Sequence, residues 1–105
     1  NETIADIRRI MAKPDVVAKY GARAWEDLSQ PVQEILFDLR YRGDYTPTTR
    51  QVIQPLVTTN DLDGLRRAMN DTNYWAALGV PRDRIERRKA IADRLELSEP
   101  PRKVA

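Results

Sequence analysis

The chain has 105 residues, 41% of them hydrophobic and 32% charged, and its 18 Lys and Arg against 16 Asp and Glu give a net charge of +2. This composition is typical of one globular domain and excludes a disordered chain, and no apolar run approaches the ~20 residues of a membrane helix. Without cysteine there is no disulfide or thiolate metal site, and without histidine the commonest metal ligand and the usual neutral-pH base are missing, so we expect no metal and no cofactor.

Apolar residues at helical spacing, interrupted by prolines and glycines, predict six or seven short α-helices. In chain order the predicted helices are residues 3–13, 15–24, 31–42, 46–58, 61–70, 72–78 and 82–97. Pro14 separates the first two helices, and residues 25–28 form a connector anchored by Trp25. Pro55 is expected to kink or shorten the fourth helix.

The helix over residues 31–42 has the clearest sequence signals of any predicted element. Ser29 is a suitable N-cap for it, and Gly43 supplies the C-terminal stop. The i, i+3, i+4, i+7 spacing predicts a buried stripe made of Val32, Ile35, Leu36 and Leu39. Phe37 and Tyr41 lie beside this stripe, and we therefore expect the helix to be buried on more than one side.

These elements predict an all-α fold, a compact lobe of six or seven short helices over residues 1–97 followed by a tail at residues 98–105. On the fifth helix, Leu62, Leu65 and Met69 are expected to face the core. The sequence begins without an initiator Met and without a secretory signal, and we expect it to be an excerpt of a larger polypeptide.

The turn Tyr41-Arg42-Gly43-Asp44-Tyr45 concentrates hydrogen-bonding and stacking groups within a short stretch. One interpretation is a ligand-facing loop whose tyrosines stack on sugars or bases. The other is a helix C-cap whose tyrosines pack on the core, because a glycine that follows a helix has a sufficient local explanation. The sequence leaves both interpretations open.

The last predicted helix is rich in arginine but carries interleaved acids. Its basic residues are Arg82, Arg84, Arg87, Arg88, Lys89 and Arg94, and its acidic residues are Asp83, Glu86, Asp93 and Glu96. The pattern favours a solvated helix with intrahelical ion pairs. A DNA-recognition helix is disfavoured because phosphate contacts favour uninterrupted positive faces, so nucleic acid is not the expected partner.

Two further pairs of residues are candidates for chemistry. Tyr74 and Trp75 could line a carbohydrate cleft, although aromatics in a lobe of this size are more often core or rim. Glu26 and Asp27 follow Trp25, which is assigned to the core. A glycosidase needs two carboxyls facing each other roughly 5 to 9.5 Å apart, so we assign this acidic pair to helix capping. The sequence assembles no nucleophile–base set, phosphate-binding glycine loop or metal cluster, and we name no catalytic residue.

The stretch LSQPVQEILFDLRYRG, residues 28–43, resembles the helix–glycine segment in the C-terminal lobe of phage-type lysozymes, and most closely the pesticin-like bacterial toxin branch. Residues 85–89 with Ala90, Ile91 and Leu95 are similar to the arginine-rich final helix of those lysozymes. Between them, residues 62–69 resemble the short helix that precedes an aromatic segment, here Tyr74-Trp75. The similarity extends over residues 25–97 and rests on the order and spacing of these motifs.

The resemblance implies a muramidase that cleaves the β-1,4 bond after N-acetylmuramic acid in peptidoglycan. In that family a Glu acts as general acid, and an Asp with a Thr positions the attacking water, all in an N-terminal lobe with a Gly-rich hairpin that this sequence lacks. The implied partners are therefore peptidoglycan, the missing catalytic lobe and, for a toxin or effector, an immunity protein. The implied location is outside the cell or in the bacterial periplasm.

The resemblance also implies roles for particular residues. At the family's substrate-facing Gln position, two before the turn glycine, this chain has Tyr41, which keeps hydrogen-bonding capacity. The substrate-facing set then comprises Tyr41, Arg42, Asp44, Tyr45, Tyr74 and Trp75. An arginine pair on the final helix reaches the catalytic lobe in these enzymes and pairs with its acids. The positions with suitable spacing or a shared face are Arg84, Arg87 and Arg88.

The alternative hypothesis is a non-enzymatic helical binding module for DNA or for another protein. Residues 46–69 can be interpreted as a helix–turn–helix with a polar turn at residues 58–60. That turn contains no glycine, and the second helix offers only Arg66 and Arg67 as basic side chains. A third hypothesis is that the lobe binds an immunity protein or glycan without taking part in catalysis.

Overall fold

The structure is a computed structural model that describes residues 1–98, with side chains described to residue 95. Within that range it consists of seven α-helices and one 3-10 turn, without a strand, which confirms the predicted all-α lobe. The helices are α1 (Glu2–Met11), α2 (Pro14–Tyr20), α3 (Gln30–Tyr41), α4 (Pro47–Thr58), α5 (Leu62–Met69), α6 (Thr72–Ala77) and α7 (Arg82–Ser98), and the 3-10 turn is Trp25–Asp27. Of the predicted tail, residues 99–105 lie outside the described residues.

Polar side chains at the N-termini explain where several helices begin. Thr46 and Thr49 form a reciprocal capping box at α4, and the carboxylates of Asp61 and Asp71 accept backbone N–H groups at the starts of α5 and α6. Ser29 occupies the N-cap position of α3, but its side chain makes no capping hydrogen bond. Its buried hydroxyl has no partner among the described residues.

The central helix α3 carries the predicted apolar stripe into the core. All four stripe residues are buried, and the same core contains Leu65 and Met69 of α5, whereas Leu62 is partly buried against it. The helices that pack most extensively are α3 and α5 against α7. The expected burial of Tyr41 is wrong, since 65% of this residue is exposed.

The end of the second helix differs from the sequence expectation, whereas that of the fourth agrees with it. The second helix ends at Tyr20 instead of residue 24, because Gly21 adopts a φ of +92° that a right-handed helix cannot continue. Pro55 does not shorten α4, which continues to Thr58. The hydroxyl of Thr59 donates to the Pro55 carbonyl over 2.7 Å, which satisfies one of the acceptors left at the end of this helix.

Among residues 1–98, no helix combines the length and the apolar character needed to cross a membrane.

Candidate functional site

Arg88 of α7 is a buried arginine, with only 1% of the residue exposed. Its Nε donates to Asp38 Oδ2 over 2.7 Å, and its Nη2 donates to Asp44 Oδ2 over the same distance. The guanidinium also lies over the Trp75 ring, 5.6 Å from the ring centroid. A buried charge is tolerated only when it is paired and hydrogen-bonded, and two carboxylates and an aromatic face provide that pairing here. The remaining nitrogen, Nη1, is buried without a hydrogen-bond partner among the described residues.

The turn after α3 is fixed from several sides. The Asp44 N–H donates to the Leu39 carbonyl over 2.7 Å, and the Thr49 hydroxyl donates to the Asp44 carbonyl. Arg84 Nη1 donates to Asp44 Oδ2 over 3.3 Å. We call Asp38, Asp44, Arg84 and Arg88 the Arg88 cluster; it joins α3, the turn and α7 through charge-assisted hydrogen bonds.

Tyr45, the last residue of this turn, lies on its inner side, which faces the core. Only 3% of the residue is exposed, and its hydroxyl donates to Oε1 of the buried Gln54. Arg50 lies over the ring at 5.1 Å and donates from Nη1 to the Tyr45 carbonyl over 3.0 Å. Burial raises the pKa of the Tyr45 phenol well above its ordinary value of 10.0, so the hydroxyl stays protonated and acts as a donor.

Tyr41 lies at the opposite, outer side of the same turn. Its ring stacks with that of Phe37 at a centroid distance of 6.0 Å and an interplanar angle of 14°. The Arg42 guanidinium lies 5.5 Å from the Tyr41 ring centroid, and Arg42 is exposed. We call Phe37, Tyr41 and Arg42 the Tyr41 platform. It is a solvent-facing aromatic surface with a cation beside it.

The structure therefore divides the predicted substrate-facing residues of the turn. Tyr41 and Arg42 face solvent, as in the ligand-facing interpretation. Tyr45 packs into the core and Asp44 is held by arginines, as in the C-cap interpretation. The C-cap interpretation thus describes the inner side of the turn, and the ligand-facing interpretation stays a prediction for the exposed side.

Trp75 does not line an open cleft. It is 1% exposed, and its indole Nε1 donates to the Ala68 carbonyl over 2.8 Å. Tyr74 packs edge-to-face on it at 4.9 Å and is partly buried, and its hydroxyl has no partner among the described residues. Burial, with a smaller contribution from Asp71, raises the pKa of Tyr74. The core position of Trp75 leaves its ring no surface with which to contact a substrate in this conformation.

The three predicted bridging arginines have different surroundings. Arg84 and Arg88 share one face of α7, and both already pair with carboxylates of this chain. Arg87 is exposed and makes no ion pair within residues 1–95. The predicted contact with acids of another lobe stays a prediction, and Arg87 is the arginine of the three with a free guanidinium to make it.

Asp38 is the residue of this site that sequence reasoning missed. It is buried on α3 between the apolar positions Leu36 and Leu39, where a carboxylate without a cation would be costly. A charged residue directly beside an apolar helical stripe is a signal that could have singled it out. Arg42 Nε, four positions along, lies 3.9 Å from Asp38 Oδ1, but the buried partner Arg88 lies 50 positions away in the sequence.

The acidic residues with resolved shifts all have lowered pKa values. For Glu26, its own backbone N–H and then Arg8 lower the pKa, and for Glu34 the cause is Arg94. For Asp6, Arg9 and then Arg40 lower it. A glycosidase general acid needs a raised pKa, so these three carboxyl groups are unsuited to that role. Among the side chains described, those of residues 1–95, no group of three metal-ligating residues could hold a metal ion.

The helix–turn–helix interpretation of α4 and α5 meets an electrostatic obstacle. Arg67 forms an ion pair with Asp63, and Arg66 Nη2 lies 3.7 Å from Asp63 Oδ1. The two basic side chains of the second helix thus share an acidic neighbour. Phosphate contacts require unneutralised positive charge, so the geometry does not favour this helix as a DNA-binding element.

Comparison with known proteins assigns a family. The profile described as "Domain of unknown function (DUF8812)" matches residues 1–89, and the chain belongs to that family. No curated protein matches the chain, and no solved structure matches it either.

Proposed function

We propose that this chain is the helical, glycan-contacting lobe of a peptidoglycan muramidase, with the catalytic carboxylates supplied by a separate lobe. The observation that carries the proposal is the Tyr41 platform, an exposed aromatic ring flanked by a cation at the end of α3. The resemblance of residues 28–43 to the corresponding helix of phage-type lysozymes supports the same assignment.

The platform has the chemistry that a peptidoglycan strand requires. Sugar rings present apolar C–H faces that stack on aromatic side chains, and the Tyr41 hydroxyl adds a donor and an acceptor at the edge of that surface. N-acetylmuramic acid carries an acidic lactyl group, which the Arg42 guanidinium could bind through a charge-assisted hydrogen bond. A neutral glycan would use the ring alone.

The turn next to the Tyr41 platform is held in place by contacts within the chain. The Arg88 cluster and the Asp44–Leu39 hydrogen bond hold the turn that follows Tyr41, so binding would order few backbone torsions. A preorganised surface loses less conformational entropy on binding than a mobile loop does. A muramidase of this kind would act in the bacterial cell envelope, where an antibacterial toxin or effector and its immunity protein also meet.

An NMR titration of the ¹⁵N-labelled chain with two tetrasaccharides tests the proposal. The first alternates N-acetylglucosamine and N-acetylmuramic acid without stem peptides, and the second is neutral chitotetraose. We expect saturable shifts at residues 37–43 with both. Tyr41→Ala should weaken both interactions about tenfold, whereas Arg42→Gln should weaken only the muramic acid ligand.

Leu78→Ala is the matched control, because Leu78 is another exposed large side chain, at 47%, and follows α6. It should leave both affinities unchanged. Shifts centred away from residues 37–43, or equal losses in the Tyr41 and Leu78 variants, would overturn the glycan assignment. Release of reducing ends from peptidoglycan by this chain alone would overturn the division into two lobes.

A further inference from the structure

A pocket of about 690 Å³ lies between α1, α2 and the 3-10 turn, and it shares no residue with the Tyr41 platform. Met11, Val17 and the largely buried Trp25 provide apolar lining. Two cations and two anions provide charged lining, namely Arg8, Arg23, Glu26 and Asp27. This volume and this mixture of an apolar surface with a few polar groups are typical of small-ligand sites.

The charged groups of the pocket are not equally engaged. Arg8 forms an ion pair with Glu26, so these two charges compensate each other. Arg23 makes no ion pair or hydrogen bond with residues 1–95, and its buried Nε–H has no partner there. The Arg23 charge has no ion-pair partner within residues 1–95, and an anionic group in the pocket could pair with the guanidinium.

We propose that this pocket binds the C-terminal carboxylate of a peptide whose last side chain is apolar. Arg23 receives the carboxylate, because its guanidinium fork matches the two oxygens of that group. The apolar side chain lies against Trp25, Met11 and Val17. The exposed carboxylate of Asp27 lies at the same pocket and can accept a peptide N–H. A fatty acid would instead place methylene groups beside that charge.

The two tryptophans of the chain allow an internally controlled test. The Trp25 indole reports on the pocket, and the Trp75 indole, bonded to the Ala68 carbonyl, reports on the intact core. The ¹⁵N-labelled chain is titrated with N-acetyl-Ala-Leu as free acid, with its C-terminal amide, and with octanoate. We expect the free acid to shift the Trp25 indole and residues 22–27 saturably, and the amide to bind about tenfold more weakly.

Variants identify the residue that receives the carboxylate. Arg23→Gln should weaken binding of the free acid about tenfold, and Arg23→Lys, which keeps the charge but not the fork, should lie between. Arg82→Gln makes the same charge change at an exposed site on α7 and should have no effect. An unshifted Trp75 indole in each variant shows that the core is intact.

Three results would overturn the proposal. The first is no saturable shift with the free acid, and the second is equal affinity for acid and amide. The third is tighter binding of octanoate than of the peptide, which would reassign the pocket to fatty acids. All of them concern a site separate from the Tyr41 platform, so their outcome is distinguishable from that of the glycan titration.

Discussion

The Arg88 guanidinium and the Asp38 carboxylate lie 2.7 Å apart, although 50 positions separate them in the chain. Arg88 is almost fully buried, and it bridges Asp38 on α3 to Asp44 in the turn that follows α3. Because Arg88 contacts both acids, it joins α7 to the C-terminal end of α3 and to the turn that follows it. The turn that presents Tyr41 therefore depends on a side chain from the other end of the fold.

Replacing this arginine should strongly destabilise the protein. Arg88→Ala leaves the carboxylates of Asp38 and Asp44 without their main cation in a largely buried place. Removing one partner of a buried ion pair costs about 3–5 kcal/mol of unfolding free energy. Urea denaturation followed by circular dichroism measures this loss.

Arg87→Ala is the control for that experiment. Arg87 is the preceding residue on α7, but it is exposed and makes no ion pair within the described side chains. We expect a change within about 0.5 kcal/mol. Equal losses in the two variants would mean that the burial of Arg88 is not what stabilises the fold.

The two tyrosines of the turn should respond differently to loss of the hydroxyl. Tyr45→Phe leaves Gln54 Oε1 without its donor, next to an Nε2 that already lacks a partner, and should cost about 1–3 kcal/mol. Tyr41→Phe, at an exposed ring, should leave the unfolding free energy unchanged. Thermal and urea unfolding of both variants test the difference, and a larger loss for Tyr41→Phe would contradict the assignment of inner and outer sides.

Substitutions at Gly43 should change the unfolding free energy only through the backbone conformation of this residue. Its φ is +83°, in the left-handed region, and a Cβ built there meets no atom within 4 Å. Gly43→Ala should therefore destabilise by about 1 kcal/mol from backbone strain, with no steric contribution. Gly43→Asn should cost less, because asparagine tolerates this region better. Equal stability of wild type and Gly43→Ala would show that the turn adopts another conformation.

The ion pairs on the surface predict a loss of stability in acid. Hydrogen bonds from Arg94 lower the pKa of Glu34 below its ordinary value of 4.5, and those from Arg9 and Arg40 lower that of Asp6 below 3.8. A lowered folded-state pKa stabilises the fold above the ordinary pKa, and this stabilisation disappears as the pH falls through the folded-state value. Unfolding free energy should thus decline below about pH 4.5.

Glu34→Gln tests the contribution of one of these carboxylates, which binds Arg94 through both of its oxygens. Its unfolding free energy should fall less steeply between pH 4.5 and 3 than that of the wild type. Asp93→Asn, at an exposed acid without an ion pair among the described residues, should retain the wild-type slope. A steeper decline of unfolding free energy with falling pH in Glu34→Gln than in the wild type would contradict the lowered pKa of Glu34.

Much of the fold could be predicted because its signals are local. The apolar stripe of α3 and the positive-φ Gly43 that ends it each depend on a few consecutive residues. Errors arose where tertiary contacts decide. Tyr41 lies two positions after Leu39 on the same helix, yet Leu39 is fully buried and 65% of Tyr41 is exposed.

The candidate site was less predictable than the helices. The sequence singled out the turn at residues 41–45 but could not separate its two sides, because burial depends on which helices surround it. Arg88 was one of several arginines on a helix that favoured a solvated interpretation. Its spacing of three, four and seven residues from Ile85, Ala92 and Leu95 places it on the buried face of α7. Arg87, one position away, lies off that face and is exposed.

By itself, the sequence determined the helices and their order, since periodicity, prolines and glycines act within a few residues. The tertiary structure alone decided which charges are buried together, because the pairing of Asp38 and Asp44 with Arg88 requires α3 and α7 to pack side by side. It also decided which tyrosine meets solvent. Burial and ion pairing are properties of neighbours in space, and for these residues those neighbours are distant in the chain.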